Sequence, residues 1–107
     1  MPSFVSVYIT CKDAAEAKSI AHNLVEEHLV ACVNMFPVES VYRWKGKVQQ
    51  HVETALVCKT HKILVKKITK RVKELHSYDT PCVVAWPISG GNKKYLDWVR
   101  DETKKQH

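Results

Sequence analysis

Four cysteines and six histidines are the residues of this sequence best suited to hold a soft or borderline metal. Two of them fall together: His76 and Cys82 lie within "HSYDTPC", where a helical pattern gives way to a strand-like run. An imidazole and a thiol so placed fit a metal site, a reactive thiol, or a turn with a buried cysteine behind it. The remaining cysteines, Cys11, Cys32 and Cys58, are widely spaced and form no Cys-x-x-Cys pair. That spacing argues against a zinc ribbon, a dithiol redox motif and a disulfide framework. All four sit in or beside strand-like runs, where free cysteine behaves as a small hydrophobe, and reduced thiols in the cytoplasm are the expectation. His22, His28, His51, His61 and His107 are scattered and read as solvated. No nucleophile motif, phosphate-binding glycine loop or carboxylate pair is present, so the sequence is not read as an enzyme.

The bulk properties narrow the classes further. A chain of 107 residues has room for one core, and residues 1–107 are read as one domain. No apolar run approaches the roughly 20 residues of a membrane helix. The start, "MPSFVSVYIT", alternates like a strand and lacks the basic segment and cleavage site of a secretory signal. The net charge of +6 gathers over residues 59–73. A patch of that kind attracts polyanions, but the reading preferred is a solvated helix face.

The elements follow from periodicity. Residues 4–10 alternate as a strand. Helical spacing then places Ala14, Ala17, Ala21, Leu24 and Val25 on one face with Ile20 beside them, behind an Asp13 cap with Glu16 in the capping-box position. A long extended stretch follows, with Pro37 expected to mark an edge or a bulge that bends the strand. Gly46 supplies a tight turn, and the return strand sets Val48, Val52, Leu56 and Cys58 against Glu53, Ala55, Val57 and Lys59. Leu64, Ile68, Val72 and Leu75 make a second helical stripe, opposite Lys62, Lys66, Lys70 and Lys73. Pro81 closes that helix, residues 82–88 form a fourth strand, and a last amphipathic helix offers Tyr95, Trp98 and Val99 as apolar contacts. The order β-α-β-β-α-β plus a C-terminal helix gives an α+β, ferredoxin-like split βαβ fold with a four-stranded antiparallel sheet. The hairpin between its second and third strands is overlong, and must project or pair with something.

On that hairpin the residues Ala31, Cys32, Asn34, Pro37, Ser40, Tyr42, Trp44, Gly46, Lys47, Glu53, Lys59 and Thr60 reproduce a long mixed motif. With "HSYDTP", "YLDWV" and the Thr-Cys that ends the first strand, they resemble the CutA divalent-cation tolerance family over about residues 4–100. The resemblance implies a homotrimer of ferredoxin-like subunits whose hairpins pair, linked to tolerance of copper and other divalent metals. It maps the family's copper positions to Cys11, His76 and Cys82, the last standing where relatives carry an acid, and Ser77 replaces a proline of the same loop. Two thiolates and an imidazole favour copper(I) or zinc over copper(II), and copper(II) facing two adjacent thiols could instead oxidise them to a disulfide. Cys32 is read as structural or as a secondary soft-metal ligand, and Cys58 as core. Asn34, Tyr42, Trp44, Lys47, Glu53 and Tyr78 are expected at an inter-subunit interface or cleft, with Glu53 paired to a basic residue across it. A trimer of this architecture also resembles the PII signalling proteins, which raises the alternative of a signalling or scaffold module. Its inter-subunit cleft near Asn34, Trp44 and Lys47 would take a small anion or a peptide. RNA binding is disfavoured, since no aromatic RNP motif is present.

Overall fold

The computed structural model describes residues 3–104, so that His107 lies outside the described residues. The elements are β1 (Phe4–Cys11), α1 (Ala14–Glu26), β2 (Cys32–Trp44), β3 (Lys47–His61), α2 (Val65–Leu75), β4 (Val83–Pro87) and α3 (Lys93–Thr103). A single 3-10 turn, Lys62–Leu64, leads into α2. The strands form one antiparallel sheet in the order β2-β3-β1-β4, which is the ferredoxin-like arrangement expected from the sequence. β4 therefore lies beside β1 and at the opposite edge from β2.

Alternation along β1 decides what each face does. Val5, Val7, Ile9 and Cys11 point into the core with Leu56 and Cys58 of β3, beneath α1 and α2. Asp13 caps α1 by accepting the Glu16 N–H at 2.9 Å. Glu16 reaches back to the N–H of Lys12, at 3.2 Å, one residue before the position that a standard capping box uses. The buried stripe of α1 is Ala17, Ile20, Ala21 and Leu24. Ala14 and Val25 are exposed, contrary to expectation. At 3.6 residues per turn they sit about 70–90° from the middle of that stripe, beyond the reach of the sheet. α2 buries Ile68 and Val72, with Leu64 just before it and Leu75 partly covered. Its Lys62-side face stays in water, as a solvated basic face does. α3 buries Val99 and Thr103, while Tyr95 and Trp98 remain about half exposed and rest on each other at 5.6 Å.

The ladder between β2 and β3 runs from Cys32↔Lys59 to Trp44↔Lys47 and passes through Pro37↔Thr54 without an extra residue. Of the edge or bulge expected at Pro37, the structure has the edge: β2 borders the sheet, where a proline nitrogen can face away from its neighbour, and no bulge forms. β1 pairs with β3 only as far as Cys11↔Thr54. Residues 47–53 are thus paired with β2 alone, and the hairpin leaves the body as a two-stranded arm, stretching the molecule to 44 × 25 × 20 Å. Val48 and Val52 share register with Leu56 and Cys58 but are 64% and 69% exposed, because no helix lies behind the arm.

At the tip, Lys45 (φ 50°) and Gly46 (φ 79°) both take positive φ, which is the type I′ requirement for a two-residue hairpin turn. A Cβ at Gly46 would meet nothing within 4 Å, so any penalty there comes from the backbone alone. Gly46→Ala should therefore lower stability by about 1 kcal/mol, and Lys45→Asn should raise it by a few tenths. Urea unfolding of the two variants checks both signs.

Candidate metal centre and the cleft on the opposite face

Cys11 is the last residue of β1 and is fully buried on the helix side. The cap of α1 carries Glu16 over it, and the C-cap of α2 delivers His76 from the other side. One sulfur, one carboxylate oxygen and one ring nitrogen of Cys11, Glu16 and His76 lie within 4.8 Å of one another. Among the described residues no other group of three such ligands is this close.

Each member is already engaged. His76 Nε2–H donates to the Thr10 carbonyl at 2.8 Å, while Nδ1 accepts the Tyr78 N–H at 3.0 Å and stands 3.7 Å from Glu16 Oε1. Glu16 Oε2 accepts the Ser77 N–H at 3.0 Å. Burial raises the Glu16 pKa, but hydrogen bonds from Ser77 and Lys12 and the adjacent His76 outweigh it and hold the carboxyl below its usual value. The Cys11 thiol is pushed up to about 12, first by burial and then by the charges of Glu16, Glu53 and Asp13. A sulfur, nitrogen and oxygen donor set suits a borderline divalent cation. The residues fit one on two conditions: Cys11 gives up its proton, and His76 Nδ1 releases the Tyr78 N–H.

Cys82 does not join this group. It lies on the open face of the sheet beside Thr10, in a cleft of ≈ 510 Å³. Burial and then Glu53 raise its pKa, against a hydrogen bond from Thr10. Of the trio drawn from resemblance, the structure brings Cys11 and His76 together, puts Glu16 beside them, and places Cys82 on the other face. All four cysteines are free thiols. Glu16 escaped notice in the sequence because its capping position explains it fully without a second role.

The other candidate positions divide similarly. Cys58 is core, and Cys32 Sγ lies 3.0 Å from Tyr95 Oη. Asn34 Oδ1 accepts from Lys59 Nζ at 2.6 Å, and Lys47 sits at the hairpin tip opposite Trp44, neither of them in the cleft. The cleft walls are instead Tyr8, Tyr42, Trp44 and Tyr78, with Glu53 and Asp79 as its charged residues. Within the chain Glu53 takes the Tyr78 hydroxyl at 2.9 Å and is not ion-paired to any Lys, Arg or His among the described residues. Three of the scattered histidines have partners too: His28 Nδ1–H donates to Glu102 O, His61 caps the 3-10 turn, and His51 packs on Tyr42.

Two outcomes follow from this geometry. In native protein at about pH 8, a thiol reagent should modify Cys32 and Cys82 well before the buried Cys11 and Cys58, which react only on unfolding; mass mapping of the modified sites reads the order. Because the folded pKa of Glu16 lies below its ordinary 4.5, its stabilising share is full above that value and is lost as pH falls through the folded pKa. Glu16→Gln should accordingly flatten the loss of urea stability between about pH 5 and pH 3.

Residues 5–102 match the family model described as CutA1 divalent ion tolerance protein. The divalent-cation tolerance protein CutA of Thermus thermophilus is 47% identical over 98 residues, covering 91% of this chain and 95% of that protein. The Archaeoglobus fulgidus protein of the same name is 44% identical over 97 residues, covering 91% and 94%. The chloroplastic CutA of Arabidopsis thaliana is 45% identical over 105 residues, but the chain spans only 57% of that protein's length. The crystal structure of CutA1 from Oryza sativa superposes with a TM-score of 0.93 at 43% identity, over 97% of this chain and 96% of that one. The chain belongs to the CutA1 divalent ion tolerance family.

Proposed function

We propose that this protein is a homotrimeric, non-catalytic divalent-cation binder acting in metal tolerance, and that its ion, copper(II) or zinc, binds at Cys11, Glu16 and His76. The observation that carries the reading is the convergence of those three side chains at the end of β1. The names of the Thermus and Archaeoglobus relatives support the tolerance role. Four free thiols suit a reducing compartment, which supports a cytoplasmic setting.

Assembly is supported by what one subunit leaves uncovered. The arm carries Val41, Trp44, Val48 and Val52 at half exposure or more, and β2 is a long edge strand with open backbone groups. A closed cyclic assembly covers such edges. Light scattering at micromolar protein should give three times the monomer mass, and a monomer overturns this part. The open-face cleft supports a second role for the same subunit, taking up a small ligand.

Because the Cys11 proton must leave when an ion binds, affinity should rise about tenfold per pH unit through neutral pH, with about one proton released per ion. Zinc titrated into the reduced protein by calorimetry in two buffers of different ionisation enthalpy reads both quantities. Cys11→Ala should weaken zinc by at least about tenfold and Cys82→Ala should leave it within about twofold. Equal losses in the two variants would restore Cys82 to the site at the expense of Glu16.

A further inference from the structure

α2 and the 3-10 turn before it carry Lys62, Lys66, Lys67, Lys70 and Lys73, all exposed. None of them is ion-paired among the described residues. Like charges three and four positions apart on a helix repel each other, so this stripe works against the stability of its own helix. α3 is built otherwise: Lys93 and Arg100 reach Asp97, and Arg100 and Lys104 reach Asp101. The one guanidinium of α2, Arg71, is also taken, by Glu27 at 2.9 Å and Glu74 at 3.3 Å. The positive charge left uncompensated is thus concentrated on the lysine face of α2.

The shape of that face follows from helical spacing. Ile68 and Val72 point into the core, and Lys66, Lys67, Lys70 and Lys73 spread over about 120° on the opposite side. Ile63, one turn ahead of Lys66 and Lys67 on that side, is 74% exposed, more than any other large apolar side chain among the described residues. α1 packs against β2 and β3, and α2 against β4. The outward side of α2 therefore points away from the sheet, and an assembly that covers the arm and the β2 edge leaves it in water.

These residues also describe the partner. The face has no aromatic ring, no asparagine or glutamine and no unpaired arginine, the groups that read nucleic-acid bases. Lysines on flexible stems recognise a density of negative charge and not a sequence. A soluble phosphate polymer and an anionic lipid surface both offer that density. Ile63 separates them, because an apolar side chain amid lysines gains nothing from a hydrated polymer but enters the boundary between headgroups and acyl chains.

We infer that the outward face of α2 is a docking surface for an anionic lipid membrane. The lysines lie among the headgroups and Ile63 dips between them. The protein rests on the surface by this face, and no helix among the described residues is long and apolar enough to cross. The inference is independent of ion binding at Cys11, Glu16 and His76, and each can hold or fail without the other.

The test is cosedimentation of the assembled full chain with vesicles of phosphatidylcholine alone and with about 30% phosphatidylserine. Only the mixed vesicles should bind it, and binding should fall steeply with added salt. Lys66→Gln/Lys70→Gln/Lys73→Gln should weaken it at least about 100-fold, with a urea midpoint equal to wild type or higher. Lys93→Gln/Lys94→Gln, on α3, should stay within about threefold. Ile63→Ser should weaken vesicle binding several-fold and leave retention on heparin unchanged. Failure to bind mixed vesicles, or equal losses in the α2 and α3 lysine variants, overturns the docking surface. Vesicle binding that Ile63→Ser leaves intact, with heparin bound more tightly than vesicles, assigns the face to a soluble polyanion and overturns the lipid partner.

Discussion

The hydrogen bond from His76 Nε2–H to the Thr10 carbonyl, 2.8 Å long, is the constraint on which both sites depend. It ties the end of α2 to the end of β1, two elements that the chain separates by 66 positions. The other ring nitrogen then receives the Tyr78 N–H, and Glu16 receives the Ser77 N–H, so the whole α2–β4 connection is held from one imidazole outward. Tyr78, fixed in this way, delivers its hydroxyl to Glu53 on the far side of the sheet. In this loop without helix or strand, the N–H groups of Ser77 and Tyr78 are taken by side chains in place of a backbone ladder. The same imidazole touches the Cys11–Glu16 group on one face and, through Tyr78, sets one wall of the cleft on the other.

The period of two along a strand keeps these chemistries apart. Thr10 and Cys11 are adjacent in sequence and point to opposite sides, one toward the cleft and the other into the core. Cys82 follows the loop onto the Thr10 side, and a one-residue shift would have brought it to Cys11 instead. With Glu16 as the third donor, the cluster is harder and more acidic than a dithiolate site and favours borderline divalent ions over copper(I). Its donors are also occupied in the ion-free state, by a thiol proton and by backbone N–H groups. An ion that bound there would have to displace those interactions, at a cost in affinity.

Much of this was legible in the sequence, and what was not has identifiable causes. Long periodic segments gave the strands and helices, and the Asp13 cap and the Gly46 turn were local signals that nothing distant could override. Ala14 and Val25 were misplaced because apolar residues at the flank of a stripe follow helical spacing as well as its centre does. Pro37 left an edge and a bulge both open because a proline reports only that its own N–H is missing, while the tolerance of that loss depends on whether a neighbouring strand exists on that side. Cys82 follows a proline at the end of an aperiodic loop, so no pattern told which face it takes. Glu53 is held within the chain by the Tyr78 hydroxyl, 25 positions away, a contact that no local spacing announces. Nothing in the spacing of Glu16, Cys11 and His76 announces that they meet, since their approach is a property of three element ends.

The net charge of +6 would suggest a protein that repels cations, yet the site proposed at Cys11, Glu16 and His76 takes one. The two facts agree once range is considered. Charges exposed to water are screened over about 8 Å at physiological salt, so the lysine face of α2 contributes little at a site turned away from it. At short range, where screening is weak, Glu16 governs the helix-side cluster and Glu53 with Asp79 governs the cleft. Glu16 and Glu53 are enclosed, the lysines many but solvated, and an enclosed charge acts through a far lower effective dielectric. Local burial of one carboxylate on each face thus sets the potential there more than the global composition does.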